Sequence, residues 1–238
     1  MTVAEREHAA VEVVDLSTTS VRVLNQRLHD LASGAPGPRR FRVVNPSGAH
    51  AVACGLDADV EVEIDGHVGY YCAGMNKRAA VRVHGNASTG IAENMMSGQV
   101  VVDGNVSQSA GATGRGGLLV VRGNASSRCG ISMKGIDIVV GGSVGHMSAF
   151  MAQTGCLVVC GDAGEALGDS IYEARLYVRG SVASLGADCI EKELREEHVE
   201  HVRALLEAAE IDADPSEFRR YGSARQLYNF HVDHAAEY

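Results

Sequence analysis

A 19-residue repeat in the middle of the chain constrains its fold more than any other feature of the sequence. Stepping by this interval gives a column of eight apolar residues: Val43, Val62, Val81, Val100, Leu119, Ile138, Leu157 and Leu176. In the column two residues further on, seven of the eight residues are β-branched, and the exception is Asn45. Apolar, β-branched residues at alternate positions are typical of strands. Eight such units in phase predict a solenoid in which each unit stacks on its neighbours.

A glycine follows each of these short apolar runs except the first, where Ser47 takes its place. The predicted structural turn glycines are Gly66, Gly85, Gly104, Gly123, Gly142, Gly161 and Gly180. Asn, Asp or Ser follows most of them, and such pairs favour tight turns. At a rise of about 3.3 Å per residue, one unit traces roughly 60 Å, which is enough for three short faces and their corners. The sequence therefore predicts an all-β solenoid, a right-handed parallel β-helix of about eight 19-residue coils with N- and C-terminal helical caps.

The flanking segments are predicted to cap the solenoid, because unpaired strand edges invite uncontrolled pairing. We divide the chain into an N-terminal cap and linker at 1–40, the parallel β-helix at 41–189, and a C-terminal helix with an aromatic tail at 190–238. The N-terminal cap is predicted to hold a strand from Val11 to Leu16 and then a helix that ends near Gly34.

The C-terminal part is predicted to contain a helix and an interaction segment. Carboxylates alternate with apolar residues between Asp188 and Glu210, which predicts an amphipathic helix that closes the far end or lies along one side. Five of the eleven aromatic residues fall in the last 21 residues, and this tail either packs back on the rod or hooks another subunit. The possible partner contacts are Phe218, Arg219, Arg220, Tyr221, Arg225, Tyr228 and Phe230.

Charge and composition argue against several classes of function. The net charge of −9 and the lack of a basic stripe disfavour a nucleic-acid partner. The sequence shows neither a secretory signal nor an apolar run long enough to cross a bilayer, so a cytoplasmic location without membrane association is expected. The six cysteines lack paired CxxC spacing, and in a reducing compartment they are expected to be small buried side chains rather than metal ligands.

Two motifs suggest catalysis or phosphate binding, and for both a structural role is favoured. The segment GATGRGG at Gly111–Gly117 resembles a phosphate loop, but its glycines fall in the columns of the repeat rather than between a strand and a helix. Glu165 and Asp169 could form an acid and base pair, yet four residues on a coil of strand and turn do not bring two side chains together as a helix would. Neither motif is therefore assigned a catalytic role.

Histidine and methionine residues offer further candidates. His198 with His201, and His231 with His234, have a spacing at which both members could touch one metal ion, but no consistent third ligand accompanies them. Methionines in the middle coils either fill gaps in the core or form a soft contact surface for a partner: Met95, Met96, Met133, Met147 and Met151. We predict no catalytic, cofactor-binding or metal-binding residues in this chain.

The amino-acid sequence of the repeats resembles that of a known family. Segments such as HGNASTGIAENMMSG, DGNVSQSAGATGRGG and GDAGEALGDS are similar to the C-terminal GXGXG β-helix domain of the glutamate synthase large subunit. The similarity is greatest to the stand-alone type, the middle subunit of N-methylglutamate synthase (methylamine–glutamate N-methyltransferase), and one of the subunits of formylmethanofuran dehydrogenase is a distant relative. The resemblance covers about residues 40–190, and the tail EFRRYGSARQLYNFHVDHAAEY also resembles the stand-alone type.

The resemblance implies a non-catalytic structural or docking subunit of a glutamate-synthase-like complex that makes glutamate or N-methylglutamate. The implied partners are a class II glutamine amidotransferase subunit and an FMN-binding glutamate-synthase-domain subunit. FMN and an iron–sulfur cluster are expected on those partners, and no cofactor on this chain. Two alternatives remain, an autonomous β-helix enzyme or ligand-binding protein with a groove along the rod, and an acidic interaction module. The first predicts rows of exposed aromatics and carboxylates on one repeat column, whereas only scattered ones are found, such as Tyr70, Tyr71, Tyr172 and Tyr177.

Overall fold

The computed structural model describes residues 11–37 and 39–224. In these ranges the chain forms a parallel β-solenoid, which confirms the predicted fold class. The strands are β1 (Val11–Asp15), β2 (Arg40–Val44), β3 (Glu61–Asp65), β4 (Ala80–Val83), β5 (Gln99–Val102), β6 (Leu118–Val121), β7 (Lys134–Val140), β8 (Thr154–Val159), β9 (Arg175–Val178), β10 (Cys189–Lys192) and β11 (Arg219–Ser223). The helices are α1 (Val21–Ala32), α2 (Glu196–Ala208) and a short 3-10 helix (Pro215–Glu217).

Each coil contributes one strand to a single long sheet. Strands β1 to β9 pair in parallel and in sequence order. Their inward side chains, among them Val83, Val102 and Val121, are fully buried in the core of the rod. Outside this sheet the coils consist of turns. Isolated parallel bridges join each coil to the next there, at Val68, Ala87, Val106, Ala125, Val144, Ala163 and Val182.

The first coil is two residues longer than the repeat predicts. In the structure Phe41 pairs with Val62 and Val43 pairs with Ile64, a step of 21 residues, whereas the sequence columns had set Val43 against Val62. Later steps are of 19 residues, as when Val62 pairs with Val81. A shift of two leaves the same side chains facing the core, because strands alternate with a period of two. The two extra residues explain why Asn45 was the one residue of its sequence column that is not β-branched.

The predicted turn glycines stand where successive coils approach closely. The N–H of Gly104 donates to the carbonyl of Gly85 at 2.9 Å, and a Cβ at Gly104 would lie 2.7 Å from that oxygen. Of the predicted set, only Gly66 has a positive φ, at 133°. Lack of space between coils, rather than a left-handed turn backbone, therefore requires glycine in this column.

Next to these glycines, polar side chains form a ladder along the rod. The side-chain oxygen of Asn86 accepts from the N–H of Asn105 at 2.8 Å, and that of Asn105 accepts from the N–H of Asn124 at 2.8 Å. Asn124, Ser143 and Asp162 continue the same pattern to the following coils. These bonds satisfy backbone donors where the sheet ends, and so account for the Asn, Asp and Ser residues at this position.

A second corner of the coil has a left-handed backbone that the sequence did not reveal. Tyr71, Ala73 and Met75 have φ values of 58°, 51° and 57°, and Met147, Ala149 and Met151 repeat this alternation four coils later. Residues other than glycine rarely adopt this left-handed conformation. Hydrogen bonds between coils hold it, for example from the N–H of Met75 to the carbonyl of Glu93 at 2.7 Å. The small residues of this corner, such as Ala73, are buried inside the coil.

The N-terminal segment covers the first coil. Helix α1 starts after Ser20, whose hydroxyl accepts from the N–H of Val23, and it buries Leu24, Leu28 and Leu31 against the core. Asn25 also donates to the carbonyl of Ala51 at 2.8 Å. The predicted strand and helix both occur, as β1 and α1.

The C-terminal segment differs from the predicted long helix. Cys189–Lys192 forms strand β10, so α2 begins at Glu196 instead of near Asp188. Helix α2 lies along one side, where Val202 and Leu206 pack on the outward side chains Val139 and Tyr177 of the sheet. Strand β11 inserts between β9 and β10, antiparallel to both, and thereby covers the edge of β9, so that β10 is the last strand of the sheet.

The start of the aromatic tail packs back on the rod. Phe218 lies in the outer core under α2 and Tyr221 in the inner core, and each is 2% exposed. Arg219 donates to the carbonyl of Gly180 at 2.7 Å, and Arg220 to that of Glu193 at 3.2 Å. The side chains of Phe218 and Tyr221 therefore do not face a partner, which corrects this part of the sequence-based expectation. The other possible contacts, Arg225, Tyr228 and Phe230, lie outside the described residues.

Candidate functional site

Three side chains with metal-binding and catalytic potential meet where α2 crosses the outer face of the sheet. Asp137 and Cys156 are paired across β7 and β8, one repeat apart, and His201 comes from α2. The Cys156 Sγ lies 3.1 Å from the His201 Nε2, and the Cys156 N–H donates to the Asp137 Oδ1 at 3.0 Å. The ligand atoms of all three lie within 4.8 Å of one another. We call these residues the Asp–Cys–His cluster.

The Asp–Cys–His cluster opens into a surface cavity of about 380 Å³. The cavity carries charges of both signs. Its lining residues are Asp137, Thr154, Gly155, Cys156, Glu173, Arg175 and His201. A small ion or polar molecule can therefore reach the three side chains from one side.

Burial controls the protonation of this cluster. Together with the Asp137 carboxylate, it raises the pKa of the Cys156 thiol to about 12, against the opposing influence of Arg175. Burial also raises the pKa of Asp137, against the influence of His201 and Arg175. A nucleophilic cysteine needs a lowered pKa, because the thiolate is the reactive form. The pair of Cys156 and His201 in this state is therefore not an activated nucleophile.

The other sequence candidates have structural roles or lie apart. His198 is buried, and its Nδ1 accepts from the N–H of Arg195 at 3.1 Å, so it does not share a site with His201. Within Gly111–Gly117, the N–H of Thr113 bonds to the carbonyl of Ile131 in the next coil at 2.9 Å. Backbone donors used in this way are not available to a phosphate.

The acidic pair also belongs to the coil backbone. One carboxylate oxygen of Asp169 accepts from the hydroxyl of Ser170 at 2.8 Å, and the other accepts from the N–H of Ala187 at 3.3 Å. The carbonyl of Glu165 accepts from the N–H of Met147. His231 and His234 lie outside the described residues.

Exposed tyrosine and methionine side chains form a second candidate surface. They lie in the left-handed corner or directly beside it in sequence: Tyr70, Tyr71, Met75, Met96, Met151 and Tyr172. We call this surface the Tyr/Met edge. Met75 and Met151 occupy equivalent positions four coils apart, or about 19 Å along the rod. The methionines of the middle coils therefore fall into two groups, since Met95 and Met133 are fully buried in the core whereas Met96 and Met151 are exposed.

The fold and these two surfaces define a class of protein, a parallel β-solenoid whose coils present an apolar edge and whose outer sheet face carries a docked helix. No family model matches the chain. Protein GlxC of Rhizobium meliloti (strain 1021) is 63% identical over 227 residues, which cover 95% of this chain and 99% of that protein. The chain therefore belongs to the GlxC family. Neither α1 nor α2 is long and apolar enough to span a membrane, and the described residues hold no other α-helix.

Proposed function

We propose that this chain is the non-catalytic structural and docking subunit of a glutamate-synthase-like complex. Its repeats resemble the GXGXG β-helix domain of that enzyme class. The observation that carries the docking role is the Tyr/Met edge, where large apolar side chains face solvent on four of the coils, with the polar Thr113 and Ser132 at the position of Met75 in the two coils between. Met75 is 53% exposed and Tyr71 is 48% exposed.

The chemistry of the Tyr/Met edge suits a protein partner. Tyrosine and methionine are enriched in the buried centres of protein interfaces. Methionine adapts to irregular surfaces because its side chain is unbranched and polarizable. The backbone beneath is fixed by bonds between coils, such as that from the N–H of Met151 to the carbonyl of Asp169 at 2.9 Å. A partner would therefore meet side chains on a fixed backbone, and little backbone ordering would oppose binding.

The finer assignment follows the family resemblance. The proposed partners are a class II glutamine amidotransferase subunit and an FMN-binding subunit with a glutamate synthase domain. The FMN and the iron–sulfur cluster would reside on the partners, and the complex would make glutamate or N-methylglutamate. This chain would hold the two catalytic subunits in their relative positions without supplying a reacting group.

The proposal is tested by producing the three subunits together and replacing the Tyr/Met edge. Met75→Glu with Met151→Glu puts two carboxylates into the contact, and we expect recovery of a partner subunit with the tagged chain to fall at least tenfold. Val13→Glu is the matched control, because Val13 is 62% exposed on strand β1 and is not part of the Tyr/Met edge. Equal recovery of both partners with the double variant and the control would contradict docking through this edge.

A further inference from the structure

We propose that Asp137, Cys156 and His201 bind a divalent metal ion of the zinc type, with the fourth coordination position facing the cavity. This site differs from the sequence-based expectation that the chain binds no metal. It does not rest on the docking role, since its three residues lie on β7, β8 and α2 and none of them belongs to the Tyr/Met edge.

The donor set and spacing fit such an ion. Zinc in proteins is bound by thiolate sulfur, imidazole nitrogen and carboxylate oxygen, and sites with three protein ligands leave one position open. Bond lengths of about 2.3 Å to sulfur and 2.0 Å to nitrogen place these atoms about 3.5 Å apart in a tetrahedral site. The Cys156 Sγ and the His201 Nε2 are 3.1 Å apart. The two atoms would therefore need to move apart by only a few tenths of an ångström to bind an ion.

The charges around the cavity also favour a divalent cation. With the thiol of Cys156 deprotonated, three negative groups face one positive group, since Asp137 and Glu173 are opposed by Arg175. A divalent ion would neutralise the remaining charge. The proton displaced from the thiol passes to solvent, as in other thiolate sites where binding of the metal is coupled to deprotonation.

A bound ion would connect three elements that are distant in sequence. Asp137 lies on β7, Cys156 on β8 and His201 on α2, 45 residues from the cysteine. An ion that binds the folded chain alone stabilises it in proportion to the logarithm of its concentration. The metal would therefore fix the docking of α2 on the sheet.

The test is a titration of the reduced full-length protein with cobalt(II), a spectroscopic substitute for zinc. We expect a thiolate-to-cobalt charge-transfer band in the near ultraviolet that saturates at one ion per chain and is lost when zinc is added. Cys156→Ser should abolish the band, and His201→Gln should weaken binding by about tenfold or more. Cys160→Ser is the matched control, because Cys160 is equally buried in the same outer core and lies outside the cluster.

Further controls keep the outcome decisive. The double variant His231→Gln with His234→Gln should retain the band, which excludes binding by that histidine pair. If Cys156→Ser does not fold, protection of Cys156 from alkylation by added zinc, measured by peptide mass spectrometry, takes its place. Absence of the band in the natural protein, its persistence in Cys156→Ser, or its loss in the His231 and His234 variant would each overturn the proposal.

Discussion

At the scale of single residues, glycine and asparagine side by side determine how closely the coils stack. Gly104 leaves room for the backbone of Gly85, and Asn105 next to it bonds both neighbouring coils through its N–H and its side-chain oxygen. The sequence predicted glycine here for a turn backbone. The structure shows that the requirement is steric, so even the smallest side chain should be harmful.

Gly104→Ala tests this requirement. The new Cβ would meet the Gly85 carbonyl at 2.7 Å, and we expect a loss of about 1–3 kcal/mol in the free energy of unfolding, as for other overpacked sites. Gly222→Ala is the control, because its Cβ would meet nothing closer than 3.8 Å, and a change of less than about 0.5 kcal/mol is expected. Chemical denaturation measures both. Equal losses of stability in the two variants would show that the close spacing of the coils is not the reason for glycine at position 104.

His198 should make the docking of α2 sensitive to acid. Burial lowers its pKa from 6.5, Arg220 lowers it further, and Glu197 partly opposes them. Its Nδ1 accepts from the N–H of Arg195, so protonation at that atom would break the bond. Because the unfolded chain binds this proton more readily, the stability that His198 contributes is present above pH 6.5 and is lost as the pH falls below it.

The measurement is the unfolding free energy at pH 8 and pH 5 for the natural chain and for His198→Gln, whose side-chain oxygen can still accept from Arg195. We expect the variant to lose less stability between the two pH values. A larger loss in the variant than in the natural chain would show that His198 is not the group that titrates.

At the scale of elements, the C-terminal segment closes the solenoid with a strand as well as a helix. β11 covers the edge of β9, and Phe218 and Tyr221 are buried on either side of the sheet. Removal of residues 211–238 should therefore destabilise the rod by several kcal/mol, since burial of one large apolar side chain contributes about 1.5–3 kcal/mol. Removal of 225–238 leaves these contacts in place.

Thermal unfolding of the two truncated chains, together with recovery of partner subunits, distinguishes a role in closing the fold from a role in binding a partner. We expect the chain that ends at residue 224 to keep its melting temperature and to lose partner subunits, since Arg225, Tyr228 and Phe230 are removed. The chain that ends at residue 210 should melt at a lower temperature. Equal melting temperatures for all three chains would mean that β11 contributes nothing to the fold.

The repeat explains both the success and the errors of the sequence-based predictions for these elements. Columns of apolar residues reveal a solenoid because each coil stacks in register on the next. The longer first coil escaped notice because a shift of two residues preserves the alternation of strand faces. The left-handed corner was not predictable, since Tyr71, Ala73 and Met75 are not residues that favour positive φ.

The candidate sites could be predicted only in part. Asp137 and Cys156 are one repeat apart, so the repeat already placed them side by side in adjacent coils. His201 joins them only through the packing of α2, which no local pattern specifies. The Tyr/Met edge depends on the backbone of the corner, which turns Met75 outward while Met95 is buried. Tertiary packing, not local propensity, assembled both sites.

At the scale of the whole molecule, the solenoid provides a rod with different surfaces on its sides. The outer sheet face carries α2 over β6 to β9, whereas over β2 to β4 it carries ion pairs such as Arg40 with Glu61 at 3.0 Å. The Tyr/Met edge lies at the left-handed corner, outside the strands of the sheet. A rod with a rigid backbone and an apolar edge is suited to hold other subunits at a fixed distance.

The central claim is tested most directly by affinity purification of the tagged full-length chain from its native host, with mass spectrometry of the proteins that accompany it. We predict recovery of a class II glutamine amidotransferase subunit and an FMN-binding subunit with a glutamate synthase domain, in constant proportion to the chain. Recovery of the chain alone, at low and at high salt, would contradict the proposed role as a docking subunit.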